Sequence, residues 1–118
     1  MGKPVADCLF CKIVAGEIPA DVVHESATAL AFRDIDPKAP THVLIVPREH
    51  ISTVNDIVPR HESIVGSLFT AAQSVAREAG LADPGYRLVM NCNEGAGQSV
   101  FHIHLHLLGG RRLGWPPG

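Results

Sequence analysis

The chain has 118 residues, and its length and composition exclude several classes of protein. Hydrophobic residues make up 46% of the sequence and charged residues 19%, which supplies a core without disulfides and argues against disorder. Ten Lys and Arg against 12 Asp and Glu give a formal net charge of -2, so the charge predicts no binding to nucleic acid or to an anionic membrane surface. We therefore expect a single domain over residues 1–118.

The apolar segments and the cysteines bear on location. No apolar run approaches the roughly 18 to 20 residues that span a bilayer, and the first residues lack the apolar stretch of a signal peptide. We therefore expect a cytoplasmic protein. Cys8 and Cys11 form a CxxC pair, which in a reducing compartment suggests metal or redox chemistry. The third cysteine, Cys92, is expected to be a small buried or loop residue.

The first half of the chain predicts a short helix followed by strands. Residues 8–15 read CLFCKIVA, one or two helical turns that Gly16 closes. Residues 34–40 contain two prolines and two aspartates and are expected to form an exposed loop. Three segments have the length and composition of strands: 22–25, 29–33 and 41–46.

The second half predicts one long helix and two further strands. Apolar residues recur at spacings of three and four over 60–79, the pattern of an amphipathic helix. Strands are expected over 86–91 and 99–108, joined by a loop that contains glycines. Because strands and helices do not alternate, we expect an α+β fold, a five-stranded antiparallel sheet with one long helix and a short N-terminal helix.

Three of the seven histidines fall at alternate positions near the C-terminus, at 102, 104 and 106. On a strand these rings would share one face, while the apolar residues between them would face the long helix. Histidine is a poor strand former and costly to bury without partners, so packing alone does not explain the triplet. The residues expected on the helix side are Phe101, Ile103, Leu105 and Leu107.

Two chemical interpretations of the triplet remain open at this point. A rise of roughly 3.3 Å per residue separates His102 from His106 by about 13 Å, so at most two of the rings could share a metal ion. Alternatively, neighbouring imidazoles about 7 Å apart could flank a phosphate, one attacking phosphorus while the other donates a hydrogen bond. Gly95 and Gly97 would let backbone N–H groups approach phosphate oxygens, and Ser99 would add a hydroxyl, although this loop is not a Walker A motif.

The alternation of histidine and apolar residues over 102–108 resembles the signature of the histidine triad (HIT) superfamily. The similarity extends through CLFCKI, IPA, LAFRDIDPKAPTHVLIVP, GQSVFHIHLH and the terminal WPPG. GGR after the triad and the WPPG end resemble the HINT-type branch of purine nucleoside phosphoramidases. The resemblance implies a HIT-like fold and hydrolysis of the P–N bond of an AMP-type phosphoramidate through a nucleotidyl-imidazole intermediate, with no catalytic cofactor required.

The same resemblance implies roles for individual residues. His104 would be the nucleophile, His106 would hold the phosphate, and His42 would support the nucleophile. Asp34 would accept hydrogen bonds from the ribose hydroxyls, and Ser99 would assist catalysis. The residues implied at the phosphate and leaving group are Asn91, Gly97 and Ser99. The apolar residues implied around the base are Phe10, Ile18, Phe32, Ile35 and Leu44.

The resemblance also implies a metal site and a partner. A structural zinc ion would bind Cys8, Cys11, His50 and His102; small buried apolar cysteines or a redox dithiol remain as alternatives. A homodimer is implied in which two five-stranded sheets join and each WPPG end approaches the partner's site.

Three functions remain open from the sequence. The leading one is hydrolysis of a phosphoramidate of an AMP-type or GMP-type purine nucleotide. The alternatives are a dinucleoside polyphosphate hydrolase or nucleotidyl transferase, and a nucleotide-binding interaction module without catalysis. His24 and His61 match no motif, and Arg33 follows Phe32, where contacts to the base could extend; all three are expected at the surface.

Overall fold

The computed structural model describes residues 5–118, which form two helices and five strands. In chain order these are α1 (Leu9–Val14), β1 (Val22–Glu25), β2 (Ala29–Arg33), β3 (Thr41–Pro47), α2 (Glu62–Glu78), β4 (Tyr86–Val89) and β5 (Leu105–Gly109). Short 3-10 turns lie at Val54–Asp56, Pro59–His61 and Glu94–Ala96.

The five strands form one antiparallel sheet in the order β1-β2-β3-β5-β4. The last strand therefore lies between β3 and β4, and the register places His106 opposite Leu44. This arrangement confirms the predicted α+β fold with one long helix and a short N-terminal helix. It also brings residues from the middle of the chain beside the histidine triplet.

Both faces of the sheet are covered. On one face, residues such as Ile45, Leu105 and Leu107 join the buried core beneath α2. Their neighbours along the strands, such as Leu44 and Val46, point the other way and pack with α1. This alternation is the period-two pattern of strands that are buried on both sides. The triad histidines lie on the α1 face.

Helix α2 is shorter at both ends than the predicted 60–79. Pro59–His61 forms a 3-10 turn, and the α-helix begins at Glu62. The helix ends at Glu78 because Gly80 adopts a left-handed conformation with φ of 73°, and the N–H of Leu81 then donates to the carbonyl of Ala76 at 2.8 Å. Within residues 5–118, neither α1 nor α2 combines the length and apolar character that crossing a bilayer requires.

The final strand differs most from its prediction over 99–108, because β5 begins only at Leu105. Continuing the register would pair Ile103 with Pro47, which has no N–H to donate to a ladder. Ile103 instead donates its N–H to the carbonyl of Ile51 at 2.7 Å. Its side chain still reaches the core, but Phe101 is 46% exposed and does not face α2 as expected. The strand predicted over 86–91 likewise ends early, at Val89.

Candidate active site and metal centre

An open cleft of about 630 Å³ lies on the α1 face of the sheet. Its walls are mainly apolar, and His104 and His106 lie together along it. The predicted site residues that line it are Phe10, Ile18, Phe32, Asp34, Ile35, Leu44, Ser99, His104 and His106. Asn91 and Gly97 are not among its lining residues, and His42 is buried behind His106. The cleft is also lined by residues to which the family resemblance assigned no role: Leu9, Ile13, Pro19, Ala20, Asp21, Arg33 and Val100.

The ring of His104 is fixed by a backbone carbonyl. Its Nδ1 lies 2.8 Å from the carbonyl oxygen of His102, so Nδ1 carries the proton and donates it. The neutral ring therefore keeps a lone pair on Nε2. Phe10 packs edge-on against the ring, with centroids 5.0 Å apart. Burial lowers the pKa of His104, which favours this neutral, nucleophilic form.

The proton on His106 is placed by a chain of two hydrogen bonds. The N–H of Lys38 donates to Nδ1 of His42 at 3.0 Å, so neutral His42 carries its proton on Nε2. That Nε2 lies 2.9 Å from Nδ1 of His106 and donates to it. His106 consequently holds its own proton on Nε2. Burial lowers the pKa of His106 to about 4, so the ring stays neutral near pH 7.

His104 and His106 form a closer pair than an extended strand predicts. Their ring centroids are 4.9 Å apart, against the expected separation of about 7 Å, and their planes meet at 59°. His104 lies before the first residue of β5, so the spacing of an extended strand does not apply to the pair. His104 contributes a lone pair and His106 an N–H group. A nucleophile and a hydrogen-bond donor on adjacent rings can act on the same phosphoryl group.

Asp34 lies beside this pair. Its Oδ2 is 3.4 Å from Nε2 of His42, and its Oδ1 accepts the N–H of Asp36 at 2.8 Å, which shapes the loop after β2. Ligand atoms of Asp34, His42 and His106 lie within 4.8 Å of one another, close enough to hold a metal ion. However, the N–H of Lys38 leaves the proton of His42 on Nε2, the atom that would bind the ion. This tautomer favours a hydrogen-bonded chain over a metal centre.

A second cluster has the donor set that a zinc ion prefers. Ligand atoms of Cys8, Cys11, His50 and His102 all lie within 4.8 Å of one another. Nδ1 of His102 is 3.4 Å from Sγ of Cys8 and 3.5 Å from Sγ of Cys11, and Nδ1 of His50 is 3.3 Å from Sγ of Cys11. Two thiols and two imidazole nitrogens that converge in this way fit a tetrahedral Cys2His2 zinc site.

The outer hydrogen bonds of the cluster agree with metal binding. Nε2 of His102 donates to the carbonyl of Pro47 at 2.8 Å, and Nε2 of His50 lies 3.1 Å from Oγ of Ser52. Both rings can therefore carry their proton on Nε2 and leave Nδ1 free to bind an ion. Burial raises the pKa of the Cys11 thiol, so its thiolate would need a nearby cation.

Helix α1 brings the two cysteines together. Cys8 caps the helix, and its Sγ accepts the N–H of Cys11 at 3.3 Å. The two thiols therefore lie one turn apart on the buried side of a very short helix. Cys92, by contrast, lies half-buried in the loop after β4, as expected of a loop residue.

The surface prediction for His61 is wrong. The ring is only 6% exposed: Nδ1 accepts the N–H of Val58 at 3.0 Å, and Nε2 donates to Oε2 of Glu49 at 3.0 Å. Arg60 binds the same carboxylate at 2.8 Å and holds the pKa of Glu49 below its usual range. This network fixes the residue next to His50. A lone histidine before a helix gives no sequence signal for such a buried partner.

The other two residues expected at the surface differ in exposure. His24 is half-buried on β1. Arg33 is exposed, as predicted, and forms an ion pair with Asp21 at 3.1 Å.

Gln98 is a second buried residue whose role the sequence analysis missed. Its Oε1 accepts the N–H of Asn93 at 2.7 Å, and its Nε2 donates to the carbonyl of Ser52 at 2.8 Å. Gly97, with φ of 96°, provides the left-handed turn that directs the chain toward Gln98. This amide therefore joins the loop before Ser99 to the segment after His50. The sequence offered one signal for this role: Gln98 lies between a loop glycine and the histidine triplet.

The low pKa of His106 predicts a pH-dependent stability. The unfolded ring titrates near 6.5, so between pH 6.5 and about 4 the unfolded chain binds a proton that the folded chain does not. Lowering the pH through this window should reduce the free energy of unfolding, by up to roughly 2 kcal/mol from this ring after allowance for its partial exposure. Urea denaturation of wild type and His106→Asn at several pH values measures it. Equal pH slopes for the two proteins would contradict the assignment.

The chain is similar to known proteins along most of its length. The family model described as HIT domain matches residues 15–113. The purine nucleoside phosphoramidase of Escherichia coli strain K12 is 51% identical over 108 residues, which cover 92% of this chain and 91% of that protein. The crystal structure of a HIT family hydrolase from Legionella pneumophila Philadelphia 1 has a TM-score of 0.93 and 55% identity, covering 95% of this chain and 100% of that one. A histidine triad protein from Clostridium difficile has a TM-score of 0.92 and 39% identity, covering 95% and 97%.

These matches confirm the resemblance found in the sequence. They extend along most of the chain and of each relative, and the residues matched by the family model include His42, His104 and His106. The chain therefore belongs to the HIT domain family.

Proposed function

We propose that this protein is a hydrolase that cleaves the P–N bond of purine nucleoside phosphoramidates of the AMP type. One observation carries the proposal: the cleft holds a free lone pair on Nε2 of His104 beside an N–H group on Nε2 of His106. The name of the E. coli relative, purine nucleoside phosphoramidase, supports the same reaction. So does the name hydrolase given to the relative from Legionella.

The cleft has a suitable arrangement for a nucleotide. Phe10 and Phe32 pack edge to face at 5.6 Å and form an apolar wall against which a purine base can lie. The carboxylate of Asp34, which lines the cleft, would accept hydrogen bonds from the ribose hydroxyls. The phosphoryl group would then lie between the histidine pair and Ser99, where the cleft becomes polar. Ile18, Ile35 and Leu44 complete the apolar lining.

The reaction takes place in two displacements at phosphorus. Nε2 of His104 attacks, a P–N bond forms to the imidazole, and the bond to the leaving amine breaks. Ser99 passes its hydroxyl proton to the departing nitrogen and is left as an alkoxide. Water then attacks phosphorus and gives one proton back to Oγ of Ser99, the bond to His104 breaks, and the nucleoside monophosphate leaves.

The remaining polar groups stabilise charge as it develops. The imidazole of His104 becomes positive when it is nucleotidylated, and the carbonyl of His102 accepts its Nδ1–H throughout. The N–H of His106 donates to a phosphoryl oxygen, and His42 keeps that proton on the side of the cleft. His42 is thus a positioning residue. The chemistry of this mechanism needs no catalytic cofactor.

Substitution of the nucleophile tests the reaction. His104→Ala should lower the hydrolysis of adenosine 5'-phosphoramidate by at least roughly 10³-fold, because no other lone pair replaces Nε2, while AMP binding is retained. Rapid quenching of wild type with labelled substrate should trap nucleotidylated protein. His24→Ala, on β1 and outside the cleft, serves as the control. An active His104→Ala protein would refute the role, and faster cleavage of a diadenosine polyphosphate would favour the alternative substrate class.

We also propose a structural zinc ion held by Cys8, Cys11, His50 and His102. When bound, the ion would supply the cross-link that joins α1 to the end of β3 and to the segment before β5. Such a dithiol site needs reduced cysteines, which supports a cytoplasmic location.

Metal analysis tests this site. Protein purified without added metal should contain about one zinc per chain, and Cys8→Ser should lose most of it because the site falls to three ligands. Cys92→Ser, which removes the cysteine outside the cluster, should keep the full content. A low zinc content that Cys8→Ser leaves unchanged would rule the site out.

We propose that the protein is a homodimer. Among the described residues, β4 pairs with β5 on one side only, and all four of its residues are half-buried. An edge of this kind can continue a sheet into a second copy. Trp115, which is 83% exposed near the C-terminal end, would gain burial against a partner.

Light scattering coupled to size-exclusion chromatography measures the assembly. The dimer predicts a mass of about twice 12.6 kDa. Replacing Val89, which lies on β4 outside the core beneath α2, with Lys should shift the mass toward the monomer, whereas Gln73→Lys, on the exposed side of α2, should not. A wild-type mass near that of one chain would contradict the proposal.

A further inference from the structure

A second groove, of about 450 Å³, adjoins the nucleotide cleft, and the mechanism described above assigns it no ligand. The two cavities share Leu9, Ser99 and Val100. They therefore meet at Ser99, the residue that faces the leaving nitrogen in the proposed mechanism. From there the groove extends past Phe101 and along the chain before α1.

The position of the groove identifies which part of a substrate would occupy it. The base and ribose fill the apolar cleft, and the phosphoryl group lies at its polar end. In a displacement at phosphorus the leaving group departs opposite the attacking atom, so the amine points away from Nε2 of His104. A substituent on that amine has to continue beyond Ser99, where the groove begins.

The lining of the groove has a definite chemistry. Val5, Leu9 and Phe101 contribute apolar side chains that remain 38%, 43% and 46% exposed. Among the described residues of the groove, Asp7 carries the one carboxylate, and no Lys or Arg is present. Cys8 and His50 of the proposed zinc site also line the groove, and a divalent ion bound to two thiolates would add no net charge there. A positive group on an apolar stem complements this surface, through Asp7 and through the aromatic face of Phe101.

We propose that this groove is the leaving-group subsite, that it accepts amines whose substituent is a short apolar chain ending in a cation, and that Asp7 determines this preference. The inference rests on the proposed phosphoramidate hydrolysis, since it names the class of amine released. It assigns no part of the bond cleavage to Asp7. The carboxylate acts at the far end of the leaving group.

Two matched substrates test the subsite. Adenosine 5'-phosphoramidates of 1,5-diaminopentane and of pentylamine differ in the terminal ammonium. Wild type should prefer the first in kcat/KM by roughly fivefold at low salt, the effect of one exposed charge pair. Asp7→Asn should bring the ratio close to one, and Asp7→Lys should reverse it. Glu17→Gln, which removes an exposed carboxylate outside both cavities, should keep the wild-type ratio.

Binding to the His104→Ala variant separates this inference from the reaction itself. Calorimetry with the same two compounds should show the same charge preference, and Asp7→Asn in that background should abolish it. Turnover with no preference in either assay would overturn the subsite and leave the hydrolase intact. An Asp7-dependent preference in binding without turnover by wild type would keep the subsite and overturn the hydrolase. Absence of both turnover and binding would overturn both.

Discussion

The anchoring of His102 is the constraint on which the rest of the site depends. This residue is fully buried, its Nε2 donates to the carbonyl of Pro47, and its Nδ1 faces the two thiols of the CxxC helix. Its side chain is thus held from three directions, which leaves its own carbonyl in a fixed position. That carbonyl accepts the Nδ1–H of His104. The orientation of one histidine and the tautomer of the next therefore follow from a single residue.

Backbone groups, rather than acidic side chains, set most of the protonation pattern. The carbonyl of Pro47 places the proton of His102, the carbonyl of His102 that of His104, and the N–H of Lys38 that of His42. A peptide group does not titrate, so these assignments persist across the pH range in which the rings stay neutral. Burial extends that range by lowering the pKa of each of the three rings.

Sequence reasoning selected most of the residues that the structure brings together, because spacing and motif encode much of this arrangement. The alternation of histidine and apolar residues over 102–107 indicated a functional triplet, and the family resemblance supplied His42, Asp34 and the four residues that cluster as a metal site. The apolar stripe likewise predicted α2 to within two residues. In these regions local pattern and tertiary structure agree.

The failures have physical causes that a single sequence does not display. The strand predicted over 99–108 is interrupted because its neighbour in the sheet contributes Pro47, a residue more than fifty positions away. His61 and Gln98 are buried and bind partners on other segments, Glu49 and Ser52. The spacing of apolar residues in the sequence does not predict such contacts. Phe101 fits the alternating pattern of a strand in the sequence. In the structure it precedes β5, which begins at Leu105, so its side chain does not follow that pattern.

Phe10 lies between the two cysteines, and its position couples two sites. Its ring packs edge-on against His102 at 6.0 Å and against His104 at 5.0 Å, and it also lines the cleft. A metal ion at one end of α1 and a purine at the other would both require the same placement of this ring. Two ligands that order one element bind cooperatively, and the coupling is reciprocal. The affinity for nucleotide and the affinity for metal should therefore rise by the same factor when the other ligand is bound.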